Sequence, residues 1–156
     1  MELTEVITIY RNSKPLLLSK QAIFPGIVQL LNGDLLALFS IGQAFDSADQ
    51  RGYFSKSSDN GRSWSEPKKM HHHEFTPYQL SESFKPIRLH DGTLLATGYV
   101  FERPDDITPI VDEATFKVLP LKNMCSRSYD DGVTWDIPYQ IDINGNPLEL
   151  SGPCVQ

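Results

Sequence analysis

The sequence predicts an all-β protein, a partial β-propeller with four-stranded antiparallel blades. Three observations carry this. "SSDNGRSW" at residues 57–64 returns as "SYDDGVTW" at 128–135, with Pro67 and Pro138 following each tryptophan. "GIVQLLNGDLLALF" at 26–39 returns as "KPIRLHDGTLLATG" at 85–98. Finally, 10 glycines and 11 prolines are spread along all 156 residues, which argues against long helices.

The second repeat sets the first two strands of each unit. An apolar run enters Asn32-Gly33 or Asp91-Gly92, then leaves through Leu-Leu-Ala. Both dipeptides read as tight hairpin turns, since glycine tolerates positive φ without steric cost. The order is then strand, Asn/Asp-Gly turn, strand, loop, strand, Asp-x-Gly turn, strand. Strands are expected near 25–31, 34–41, 52–58 and 66–72, then 85–90, 93–101, 122–129 and 136–143. "EVITIY" at 5–10 alternates and reads as a further strand, one that closes the ring in a complete propeller. Four short antiparallel strands recurring about every 60 to 70 residues are the pattern of a propeller blade. One partial domain over 1–156 follows, with blades at about 21–77 and 82–145. "SGPCVQ" at 151–156 starts a third, within 149–156.

Composition narrows the partners. The formal charge of −6 excludes a nucleic-acid partner, and no basic run or long apolar segment points to a membrane. The acidic, alternating N-terminus is not a signal peptide, and two cysteines, Cys125 and Cys154, are too few for a disulfide framework. Both features favour an intracellular, cytoplasmic compartment. "MHHHEF" at 70–75 is expected on a solvated outer strand or loop. Adjacent histidines on a strand face opposite ways, so His71 and His73 could share one ion but His72 could not. With no Cys or second His cluster to complete it, no metal site is expected, and no cofactor motif appears.

The twice-written Ser-x-Asp-x-Gly-x-Ser/Thr-Trp resembles the Asp-box, or BNR repeat, of the sialidase (neuraminidase) superfamily. In that resemblance it is a structural turn between a blade's third and fourth strands. Asp59 or Asp130 takes backbone N–H groups, Gly61 or Gly132 is left-handed, and Trp64 or Trp135 buries its ring. The chain resembles the first third of a six-bladed ring. Its open edges imply either missing blades or self-association of copies.

The resemblance implies an exo-acting glycoside hydrolase on a carbohydrate. It places an acid/base aspartate in the loop "GQAFDSADQRG" at 42–52, where Asp46 has the better spacing and Asp49 also fits. The family's first carboxylate-binding arginine is replaced here. With Pro25 aligned, Ile23 takes its place, which leaves neutral and uronic sugars open beside sialic acid.

Independently of the family, Gln21, Glu82 and Glu149 each precede a proline, Pro25, Pro86 and Pro153, at the same spacing. Strand direction places those positions and the Asp46 loop at one end of the ring. Asp46, Glu82 and Glu149 are therefore the candidate catalytic carboxylates, as acid and assisting groups, with exposed loop positions as the alternative for the glutamates. Asp49, Lys85 and Arg103 are the candidate substrate-binding residues. The loop at 102–123 is long enough to fold over the mouth or to be an insertion without a role. A non-catalytic propeller that binds glycan or protein is the rival reading.

Overall fold

In a computed structural model, residues 5–71 and 79–147 are described. Among them there is no helix. Two four-stranded antiparallel sheets form, each a simple meander. The first comprises β1 (Gln21–Gln29), β2 (Leu35–Gly42), β3 (Arg51–Ser57) and β4 (Lys68–Lys69). The second comprises β5 (Gln79–Arg88), β6 (Leu94–Arg103), β7 (Leu121–Ser128) and β8 (Tyr139–Gln140). A small hairpin follows, β9 (Asp142–Ile143) with β10 (Asn146–Pro147). The all-β class stands as expected.

The two Gly turns are built alike. Gly33 N–H donates to Leu30 O at 3.1 Å and Gly92 N–H to Leu89 O at 3.1 Å. Both glycines have φ of +92°, so each hairpin is a four-residue turn closed by a left-handed glycine.

The strands differ from expectation at both edges of the sheets. β1 and β5 begin before their prolines. Pro25 sits in a break of register between Ile23 and Gly26, and Pro86 lies inside β5 opposite Ala96. Both strands are edges of their own sheets, where a residue without an N–H is tolerated. The fourth strands shrink to two residues each, because Pro67 and Pro138 interrupt the ladder. Ser65 N–H still reaches Lys56 O and Asp136 N–H reaches Arg127 O, both at 2.8 Å. The expected strand at 5–10 does not form. Instead Ile9 and Tyr10 lie on the β2 face of Ala37, Phe39 and Ile41, beside Tyr53 and Trp64. A segment across a sheet face meets side chains rather than free backbone groups, so no ladder follows.

The sheets pack on one another through Leu36, Leu38, Phe54, Phe84, Leu94, Ala96 and Val100, with Trp135 against this cluster. Leu36, Leu94 and Ala96 are fully buried. Losing the Phe84 ring from such a site costs about 3–5 kcal/mol. His71 belongs to this layer too. It is buried, edge-on to Phe84 at 5.4 Å, with Nε2 3.2 Å from Ser126 Oγ. The expected solvated position is therefore wrong for His71, whose ring finds an aromatic neighbour and a hydroxyl. His72 and His73 lie outside the described residues.

The repeated Asp-x-Gly turns share their Ser–Asp–Gly bonds, though Trp64 Nε1 donates to Gly61 O at 3.1 Å while Trp135 Nε1 is buried without such a partner among the described residues. Ser57 and Ser128 donate to Asp59 and Asp130 at 2.8 Å, and accept from Gly61 and Gly132 N–H at 2.8 Å. Each aspartate also takes the N–H and hydroxyl of Ser63 or Thr134. Hydrogen bonds from Ser63 hold the Asp59 carboxyl down to about 2. At Asp130 slight burial pushes up, but the Thr134 and Ser128 bonds win and hold it at about 2. A lowered folded pKa contributes stability above the unfolded value and loses it as pH falls through the folded one. We therefore expect Asp59→Asn with Asp130→Asn to lower Tm by several degrees at neutral pH. The gap should close as pH falls from 3.8 toward about 2. Thermal melts across that range check it; a gap independent of pH would remove the charge from the turn's function.

Candidate functional site

The loop between β2 and β3 and the loop after β6 meet over one cleft of about 500 Å³. Asp46, Asp49 and Arg103 all line it, with Phe45, Ile107 and Ile110 among the other walls. Three of the candidate site residues are thus brought together from two sheets.

Arg103 closes β6 and is 5% exposed. Its Nε donates to Ser81 Oγ at 3.0 Å and its Nη1 to Thr108 O at 2.9 Å, while Nη2 donates to Asp46 O. The guanidinium therefore ties the Asp46 loop to the following long loop. Burial lowers its pKa against the opposing pull of Asp46 and Asp105.

Asp46 sits in that loop with φ of +49° and is 6% exposed. Asparagine and aspartate tolerate this region better than other L-residues. Its N–H donates to Gln50 Oε1 at 2.9 Å. Gln50 is itself fully buried and gives its Nε2 to Glu82 O at 2.7 Å. The Asp46 carboxyl has a buried Oδ1 with no hydrogen-bond partner among the described residues. Burial raises its pKa, outweighing the Arg103 guanidinium and the Gln50 amide, which both pull it down. A buried carboxyl whose pKa is raised, with one oxygen unengaged among the described residues, has the features that acid catalysis draws on.

Asp49 differs in kind. Its Oδ1 accepts from Gln43 N–H at 2.9 Å and Ser47 Oγ at 2.7 Å, and Oδ2 pairs with Lys20. Burial alone would raise this carboxyl; the Lys20 ammonium and the two hydrogen bonds reverse that and hold it below its ordinary value. Two carboxyls in one loop are pushed opposite ways, which is how acid and charge-bearing roles are separated.

The remaining candidates lie elsewhere. Glu82 is on β5 and 1% exposed, between the sheets, with Oε2 accepting from Gly52 N–H at 2.9 Å. It is neither an exposed loop residue nor a wall of the cleft. Its carbonyl takes both Ser40 Oγ and Gln50 Nε2, so it supports Asp46 through Gln50. Lys85 is exposed on β5 beside Gly26, also off the cleft walls. Glu149 lies outside the described residues.

The long loop has structure of its own. Val111 bridges Val118, and Asp112 accepts from Ala114 and Thr115 N–H. Its first part, Asp106 to Ile110, forms a cleft wall. Among the described residues no group of three His, Cys, Asp or Glu side chains is arranged to hold a metal.

Sequence reasoning did not single out Gln50, Phe24, Phe45 or Tyr99. Tyr99, on β6, has its phenol pushed up to about 12, by burial first and then by the Asp46 charge, with a Ser83 hydrogen bond opposing. Tyr99 thus feels the Asp46 charge, but nothing in "ATGYVF" announces it.

Solved structures share this fold. A protein of unknown function from Dyadobacter fermentans aligns at 25% identity over 85% of this chain and 38% of its own, with a TM-score of 0.63. A Hadza microbial sialidase aligns at 17% identity over 76% of this chain and 25% of its own, with a TM-score of 0.57. An ulvan lyase, a polysaccharide lyase, aligns at 16% identity over 83% and 28%, with a TM-score of 0.52. The likeness is one of fold. This chain spans well under half the length of these neighbours. No family model matches the chain, and no curated protein matches it significantly.

Proposed function

We propose that the two sheets are successive blades of a sialidase-type propeller, and that the Asp46 cleft is its carbohydrate site. The Ser-x-Asp-x-Gly-x-Ser/Thr-Trp turns are then its Asp-boxes. The observation that carries the proposal is the Asp46 carboxyl itself: buried, raised in pKa, with an unengaged oxygen, in the wall of an open cleft. The sialidase and ulvan lyase neighbours, both acting on glycans by name, support the substrate class.

In the hydrolytic reading, Asp46 gives its proton to the leaving glycosidic oxygen in an exo-acting cleavage. Asp49 stays ionised and, with Lys20, orients sugar hydroxyls. Arg103 holds the two loops at their working separation and offers its remaining N–H groups to the ligand. Glu82 is a positioning residue, acting through Gln50. Glu149 keeps the place of second carboxylate, and Lys85 that of a substrate contact farther along β5. Because the chain spans 38% or less of its neighbours' lengths, this activity belongs to the complete propeller. The open edges of a two-blade unit also suit self-association.

The test is a panel of aryl glycosides of sialic acid, hexuronic acids and neutral hexoses, assayed on the complete protein. Release from at least one class is expected. Turnover of none, with glycan binding retained, favours the non-catalytic binding propeller; neither turnover nor binding overturns the carbohydrate reading.

A further inference from the structure

Beside Asp46 stands an aromatic row that packing does not explain. Phe45 immediately precedes Asp46, lines the cleft, and is 67% exposed. Its ring leans on Phe24 at 5.1 Å, which meets Tyr99 edge-on at 6.2 Å. Tyr99 in turn meets Phe101 at 5.5 Å. The row thus runs from the buried side of β6 to the open cleft.

Two features mark it as more than a satellite of the core. A large aromatic ring left open to water forgoes burial worth about 1.5–3 kcal/mol. Phe24 also holds φ of +55°, at the register break of β1. For a bulky residue that region costs on the order of 1–3 kcal/mol, and such outliers cluster where ligands are held. The strained backbone turns the Phe24 ring under Phe45, and Asp46, also at positive φ, follows directly. One strained residue, Phe24, and one exposed ring thus place an apolar surface immediately before Asp46 in the cleft.

We propose that Phe45, backed by Phe24, is the stacking platform for a pyranose ring of the ligand. The inference deepens the carbohydrate reading and rests on it. A pyranose has one face rich in C–H bonds, and a phenyl π-face attracts it as it attracts other positive edges. A ring stacked there lies beside the Asp46 carboxyl, with its hydroxyl-bearing rim toward Asp49 and Arg103. The platform selects sugars with an unbroken apolar face and disfavours those with an axial hydroxyl on it. Phe45 is thus a specificity-determining residue.

The experiment uses the complete protein and sialylated, hexuronate-containing and neutral tetrasaccharides, with binding read by calorimetry and saturation-transfer NMR. The variants are Phe45→Ala, Phe45→Trp and Asp46→Asn. Wild type should bind at least one class, Phe45→Ala should weaken it about 10-fold or more, and Phe45→Trp should keep it. Tm of Phe45→Ala should stay near wild type, since the ring is exposed. Asp46→Asn should keep the Phe45 saturation-transfer signal. Equal binding by wild type and Phe45→Ala overturns the platform while leaving the carbohydrate reading intact. Binding of no tetrasaccharide by wild type overturns both.

Discussion

Gly98→Ala is expected to leave no cooperatively folded protein. A Cβ at Gly98 would lie 1.5 Å from the Ser83 carbonyl oxygen and 2.5 Å from its carbon. Both atoms are backbone of β5, so no side-chain rotation relieves the clash. β5 would have to leave β6 where Phe84 pairs with Gly98. That strand carries Phe84 into the shared core and Glu82 onto Gly52, so the two sheets separate with it. The expected loss exceeds about 4–5 kcal/mol, the range in which single substitutions become exceptional. Gly33→Ala is the control. It meets nothing within 4 Å and suffers only its φ of +92°, a strain of about 1–2 kcal/mol. Circular dichroism melts of both variants decide this. A Gly98→Ala protein that melts like Gly33→Ala would contradict the close β5–β6 approach.

If the proposed hydrolytic reading holds, Asp46→Asn is expected to cut turnover of the complete protein sharply and yet stabilise the fold. A general acid contributes about 10²–10⁴-fold, so kcat should fall by at least two orders of magnitude. The stability effect has a definite sign. Burial raises the Asp46 pKa in the folded state, so the fold prefers the protonated form. Such a group favours folding below its unfolded pKa, and that contribution is lost as pH rises through the folded pKa. Asparagine carries no charge to lose. The Tm advantage of Asp46→Asn should therefore open as pH rises above 3.8 and narrow at lower pH. A stabilising substitution that removes activity is the expected signature of a strained site. An Asn variant with wild-type turnover would remove Asp46 from the chemistry.

Much of the scaffold was legible because it rests on short-range backbone demands. Asn32-Gly33 and Asp91-Gly92 turn as read, since a left-handed glycine is a local requirement. The Asp59 and Asp130 turns close on themselves within a few residues, so their bonds could be written down from the motif. The failures share a cause. "EVITIY" alternates like a strand, yet alternation records only which side chains are apolar; whether a free sheet edge awaits is a tertiary fact. The sequence places a proline at the start of the first strand of each sheet, whereas edge position and a register break let β1 and β5 begin earlier.

The site was legible in part for the same reason. Asp46 and Asp49 follow from the loop position that the family resemblance gives, and Arg103 from the long segment at 102–123. In the structure Arg103 closes β6 and meets that loop at one end of the sheets. Glu82 came from equal spacing before a proline, a pattern blind to which face of β5 the side chain takes. That face is the one between the sheets. Gln50, Phe24 and Tyr99 act through contacts across distant segments, and no local pattern encodes those.

The most direct test is the titration of Asp46 by ¹³C NMR of its carboxyl carbon, with Asp49 followed in the same spectra. The account predicts a midpoint above 3.8 for Asp46 and below it for Asp49. Asp46 titrating at or below Asp49 would contradict a poised proton donor in the cleft.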